Sequence, residues 1–101
     1  MDKEVLLLSW IQEWFVTNCD GDWEHDKNLV IETIDNPGWS VFINLTGTYL
    51  ENKSFKLIEI NRSESDWIYC AVKKNKFESA GGSKNLIEIL QIFQVWAEEN
   101  H

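Results

Sequence analysis

A chain of 101 residues has room for one ordinary hydrophobic core and not for two, so a single domain over residues 1–101 is expected. With 44% hydrophobic residues, 26% charged and one proline, the composition is that of a folding globular chain and excludes a disordered one. The formal charge of −8, from 17 acids against nine bases, repels a phosphate backbone and works against nucleic-acid binding; a basic protein surface is the natural counterpart, the alternative being that the charge merely keeps the domain soluble. No run approaches the ~20 apolar residues of a membrane span. The start, Met1-Asp2-Lys3-Glu4, lacks the basic residues and long apolar stretch of a secretory signal. A cytoplasmic location follows as the expectation, with Cys19 and Cys70 as reduced thiols and no weight on the glycosylation patterns at Asn44, Asn52 and Asn61.

In chain order, the first predicted element is a helix over 3–18, with Leu7, Trp10, Ile11, Trp14 and Phe15 at the three- and four-residue spacing of one face. Asp20-Gly21-Asp22 stops it: glycine takes positive φ just past a helix, and short carboxylates accept backbone hydrogen bonds in turns. A strand is predicted over 29–35. Asn36-Pro37-Gly38-Trp39 then has proline and glycine at the second and third positions of a type II turn, which closes a hairpin. The return strand, 39–46, puts Trp39, Val41, Ile43 and Leu45 on one face, with Ser40, Phe42, Asn44 and Thr46 on the other. Gly47 marks a bend and Glu51-Asn52-Lys53 a loop.

A third strand over 55–61 and a fourth over 66–74 follow, the latter with the near-continuous apolar run of a central strand. Lys76 to Glu78 reads as a short edge, broken by Gly81-Gly82, after which Ser83 offers a helix N-cap. The closing helix carries Leu86, Ile89, Leu90, Phe93, Trp96 and Ala97 on one stripe and ends near Glu99. The pattern is α+β: a two-layer domain with a mostly antiparallel sheet of four to five strands, flanked by N-terminal and C-terminal helices that cover the same sheet face.

Chemistry is densest in "CDGDWEH", Cys19 to His25. A thiolate–imidazole pair of Cys19 and His25 is one reading, though such pairs are defined in space more than in sequence. A metal held by Cys19, Asp22 and His25 is another. It falls one ligand short of the four of structural zinc, and neither a Cys-x-x-Cys nor a His-x-x-x-His pair is present. Asp20, Asp22, Glu24 and Asp26 alternate as calcium ligands do, but Trp23 interrupts the loop and the distal glutamate of an EF-hand is missing. A small metal- or thiol-dependent enzyme using Cys19, Asp22 and His25 is therefore the competing function, behind a turn with an acidic surface. Gly81-Gly82-Ser83-Lys84 lacks the full phosphate-loop pattern and reads as a turn before a helix. No motif of a nucleotide, hydrolase or zinc-protease site occurs, and no cofactor or metal is expected.

The chain resembles the bacterial immunity protein 53 family through "LLLSWIQEWF" near the start, "CDGDWEH", "IETIDNPGWSV" at Ile31 to Val41, "DWIYCAV" at Asp66 to Val72, and "GGSKNLIEIL" followed by "FQVWA". It departs from the typical pattern at Asp26-Lys27-Asn28, where an aromatic-Gly pair is common, and at Ser83, where proline is. The resemblance implies a non-enzymatic cytoplasmic antitoxin of a polymorphic toxin system, which binds the toxic domain of a cognate toxin. Many such domains are nucleases with basic substrate-binding surfaces, a match for the acidic charge. The expected contact surface is Asp20, Asp22, Trp23, Glu24 and Asp35. Oligomeric state is not set by the sequence.

Overall fold

The computed structural model describes residues 2–101. Helix α1 (Lys3–Asn18) has the predicted bounds, and Asp2 caps it by accepting from the Glu4 amide at 2.9 Å. A single 3-10 turn, Trp23–His25, leads into β1 (Leu29–Ile34) and β2 (Gly38–Asn44); then come β3 (Ile58–Ser63), β4 (Asp66–Lys73), β5 (Lys76–Gly82) and α2 (Leu86–Glu99). The five strands form one antiparallel sheet in the order β1-β2-β5-β4-β3. This is the expected α+β architecture.

The largest departure from expectation is β5. Lys76–Gly82 is the middle strand, paired along its length with β2 and β4, and Gly81-Gly82 belongs to it. The turn explains the entry of β5 beside β4. Lys74 and Asn75 have φ of 52° and 62°, the backbone of a two-residue hairpin whose twist suits the flanking strands. Composition hid the strand, because Glu-Ser-Ala-Gly-Gly is poor in β-formers, yet its small residues are what crowding requires. A Cβ on Gly82 would strike the Ser65 carbonyl oxygen, and one on Gly38 the Gly81 carbonyl oxygen.

Gly38 accordingly does not serve as the third residue of a type II turn. It opens β2, opposite Ile34 and Gly82, and the β1–β2 loop is Asp35-Asn36-Pro37. Close approach of backbones, not positive φ, selects glycine there. Gly38→Ala is expected to lower stability by about 1–3 kcal/mol through overpacking against backbone that cannot yield, measurable by urea unfolding; a neutral effect would contradict this packing.

The third strand is shifted from the predicted 55–61. Segment 45–57 is drawn past the β4–β5 turn, since the Leu45 amide donates to Asn75 O and the Asn52 amide to Asn75 Oδ1. Pairing with β4 therefore begins only at Ile58. The helix start is corrected as well: the N-cap is Asn85, not Ser83, and its amide side chain is turned to Asp66 and Glu88.

The core lies between one sheet face and both helices. Val41, Ile43, Phe77, Ile68 and Cys70 form its floor, and Leu7, Trp14, Ile89, Leu90, Phe93, Trp96 and Ala97 its roof. Phe93 is central, with edge-to-face contacts to Trp14 and Phe77, each at 5.1 Å between centroids, and to Trp10 at 6.1 Å. Leu45 and Leu50, from the long connection, are fully buried at its end.

Candidate functional site

The segment Cys19–His25 follows α1 and is built by its own carboxylates. Asp20 Oδ1 accepts from the amides of Asp22 (3.0 Å) and Trp23 (2.9 Å). The Glu24 carboxylate accepts from the amides of Asp20 (2.9 Å) and Gly21 (2.9 Å), and Gly21 has φ of 96°, the left-handed backbone a glycine supplies. These bonds favour the ionised forms. The Trp23 amide, then that of Asp22, holds the Asp20 carboxyl below its ordinary range. Glu24 is lowered by its own amide first and by those of Asp20 and Gly21, with burial opposing.

Trp23 turns inward. It is 8% exposed, packs against Trp14 (5.9 Å) and Phe15 (5.5 Å), and its carbonyl accepts from the Asn28 side chain. Asp22 and the nearby Asp26 are exposed and make no side-chain bond among the described residues. Asp35 lies elsewhere. It sits in the loop at the far end of β1, six residues from Leu29, or about 20 Å along an extended strand. Of the five expected contact residues, then, the fold brings Asp20, Asp22 and Glu24 together at the surface, buries Trp23 beneath them and separates Asp35.

The same geometry bears on the thiol and metal readings. Cys19 Sγ donates to Phe15 O at 3.3 Å, and burial, then the Glu24 and Asp20 carboxylates, push its thiol up. A nucleophilic cysteine needs the opposite surroundings. Burial pushes the Cys70 thiol up to about 12. Among the described residues no three of His, Cys, Asp and Glu are grouped to hold a metal ion. Alkylation by iodoacetamide at neutral pH should be slower for Cys19 than for a free thiol, and should reach Cys70 only on unfolding. Rapid labelling of folded Cys19 would restore the nucleophile reading.

The residues Gly81 to Lys84 do not form an anion cradle either. Asp66 and Glu88 already occupy that helix start, where Arg62 bridges them at 2.9 and 2.7 Å, and the Asn85 side chain donates to Asp66 at 2.9 Å. The positive start of α2 thus already faces carboxylates of this chain.

Two further surfaces were not visible in the sequence. The sheet face away from the helices shows Phe42, Tyr69 and Trp67, half-buried, with charges of both signs: Glu32, Glu59 and Glu78 alternate with Lys73 and Lys76. The second is a cavity of about 310 Å³ between the C-terminal halves of α1 and α2, lined in part by Trp10, Glu13, Thr17, Tyr49 and Glu98. It adjoins the Cys19–His25 segment through Trp14, which lines the cavity and touches Trp23. Helix spacing alone could not show it, because Tyr49 comes from the connection between β2 and β3.

The family model described as Immunity protein 53 matches residues 8–98, nearly the whole chain. The chain belongs to the immunity protein 53 family. Neither a curated protein nor a solved structure matches it. An immunity function follows from membership, with a toxin as the implied partner. The matched span runs from α1 to α2 and contains the whole Cys19–His25 segment. No described helix is long and apolar enough to cross a membrane.

Proposed function

We propose that this immunity protein acts in the cytoplasm of the toxin-producing cell by binding a cognate toxin domain and blocking it. The toxin surface it meets is basic, the chemistry of a nuclease's substrate-binding face. The observation that carries this reading is the family match over residues 8–98. The net charge of −8 supports it, because opposite charge raises encounter rates and disfavours nucleic acid itself as the ligand.

The proposed contact surface is the end of the molecule where α1 runs into the 3-10 turn. Asp20 and Glu24 hold their loop with one set of lone pairs and present negative charge to solvent; Asp22 and Asp26 are uncommitted. Trp23 contributes from below, by fixing the loop on Trp14 and Phe15. Asp35 falls outside this surface.

Co-expression with the toxin domain encoded beside the gene tests the function. Growth should be rescued and the two proteins should copurify; toxicity unrelieved, with no complex recovered, would end the proposal.

A further inference from the structure

Helices ordinarily place lysine or arginine in the last turn, where the backbone carbonyls leave about half a negative charge. Neither helix here does so. Among the carbonyls of the last turns, several are met by neutral donors instead: the Cys19 amide to Val16 O at 3.1 Å, Cys19 Sγ to Phe15 O at 3.3 Å, and Asn100 Nδ2 to Trp96 O at 2.9 Å. The Tyr49 hydroxyl donates to Ala97 O at 3.4 Å. Such donors satisfy hydrogen bonds but add no positive charge. The two helices deliver these ends to one place, since Glu13 and Thr17 of α1 and Glu98 of α2 line the same cavity.

The cavity adds charge of the same sign. Glu13 and Glu98 make no ion pair, the only such pairs among the described residues being those of Arg62, and no lysine or arginine lines the cavity. Glu98 stands near enough to Tyr49 to push its phenol up, after burial. Its walls are aromatic. Trp10 and Tyr49 are half-buried, each presenting part of a ring, and His101 packs edge-on against Tyr49 at 4.7 Å. Negative helix ends, two free carboxylates and ring faces all favour one kind of guest, a planar cation. The volume of about 310 Å³ is at the small end of ligand pockets and suits one long side chain.

We infer that the cavity between α1 and α2 is a receptacle for an arginine side chain of the toxin, with the guanidinium between Glu13 and Glu98 and stacked on Trp10. The inference rests on the toxin-binding reading for its biological partner, but the pocket's chemistry is testable without the toxin. An acetylated, amidated tripeptide with a central arginine serves as the probe, against the same peptide with citrulline, which keeps the shape and loses the charge.

Titrated into 15N-labelled protein, the arginine peptide should shift the Trp10 indole signal saturably, with a Kd on the order of 1–10 mM. The citrulline peptide, and the arginine peptide on a Glu13→Gln/Glu98→Gln variant of unchanged melting temperature, should bind about tenfold more weakly or not at all. Saturation by citrulline at the same Kd, no saturable shift at Trp10, or unchanged binding by the double variant would overturn the inference. In co-expression, a double variant that rescues growth as well as the natural chain would remove the pocket from the interface and leave the toxin-binding function standing. Weakened rescue by this folded variant would place the pocket within the interface.

Discussion

Replacing Trp23 with alanine lowers the unfolding free energy by about 3–5 kcal/mol, the usual loss for a truncated core aromatic. The ring is 8% exposed, sits 5.9 Å from Trp14 and 5.5 Å from Phe15, and closes the core where α1 ends. Its carbonyl also holds the Asn28 side chain, which in turn accepts from Asn44 at 3.0 Å, so the turn is tied to β2. Trp23→Phe separates packing from polarity. The indole nitrogen has no partner among the described residues, and a buried unpaired donor costs about 1–3 kcal/mol. Phenylalanine removes that cost while keeping a ring, so it should recover most of the loss in a urea titration. A drop below about 1 kcal/mol for Trp23→Ala would mean the segment is not anchored as described.

Reversing the charges of Asp22 and Asp26 to lysine should slow association with the toxin domain by about tenfold or more at low salt, with a much smaller change in dissociation. These two carboxylates are chosen because they are exposed and uncommitted, whereas Glu24→Lys would strip the acceptor from the Asp20 and Gly21 amides and confuse folding with binding. Steering by exposed charges is screened over about 8–10 Å at ordinary ionic strength, so the difference between the variant and the natural chain should shrink as salt rises. Stopped-flow association at two salt concentrations reads both effects. Equal rates for a folded variant would move the interface away from this end of the molecule.

Periodicity made α2 plainly legible through the stripe of Ile89, Phe93 and Trp96, whereas α1 was legible through Leu7, Trp10, Ile11 and Trp14 even though Val5, Leu6, Leu8 and Val16 are exposed on its other side. Strand order was not legible. It depends on β5, whose serine, alanine and glycines carry no β signal, the glycines being selected by the approach of Gly38 to Gly81 and of Gly82 to Ser65. The density of functional groups in Cys19–His25 was plain in the sequence, but their division of labour was not. Hydrogen bonds decide that Asp20 and Glu24 shape the loop, and burial decides that Trp23 supports it. Asp35 looked adjacent to the segment only because β1 is short in sequence; extended, it is a span. The cavity was the least legible, since it combines two helix ends with a tyrosine from a distant connection.

The proposed action of this immunity protein 53 chain is neutralisation of a toxin by direct contact through its acidic end. Titrating the purified chain into its cognate toxin domain, while following complex formation by calorimetry and the toxin's own activity in parallel, tests it most directly. A saturable complex whose formation tracks loss of activity, weaker for Asp22→Lys/Asp26→Lys, is the predicted result. Full toxin activity in the presence of excess folded chain, with no heat of binding, would contradict it.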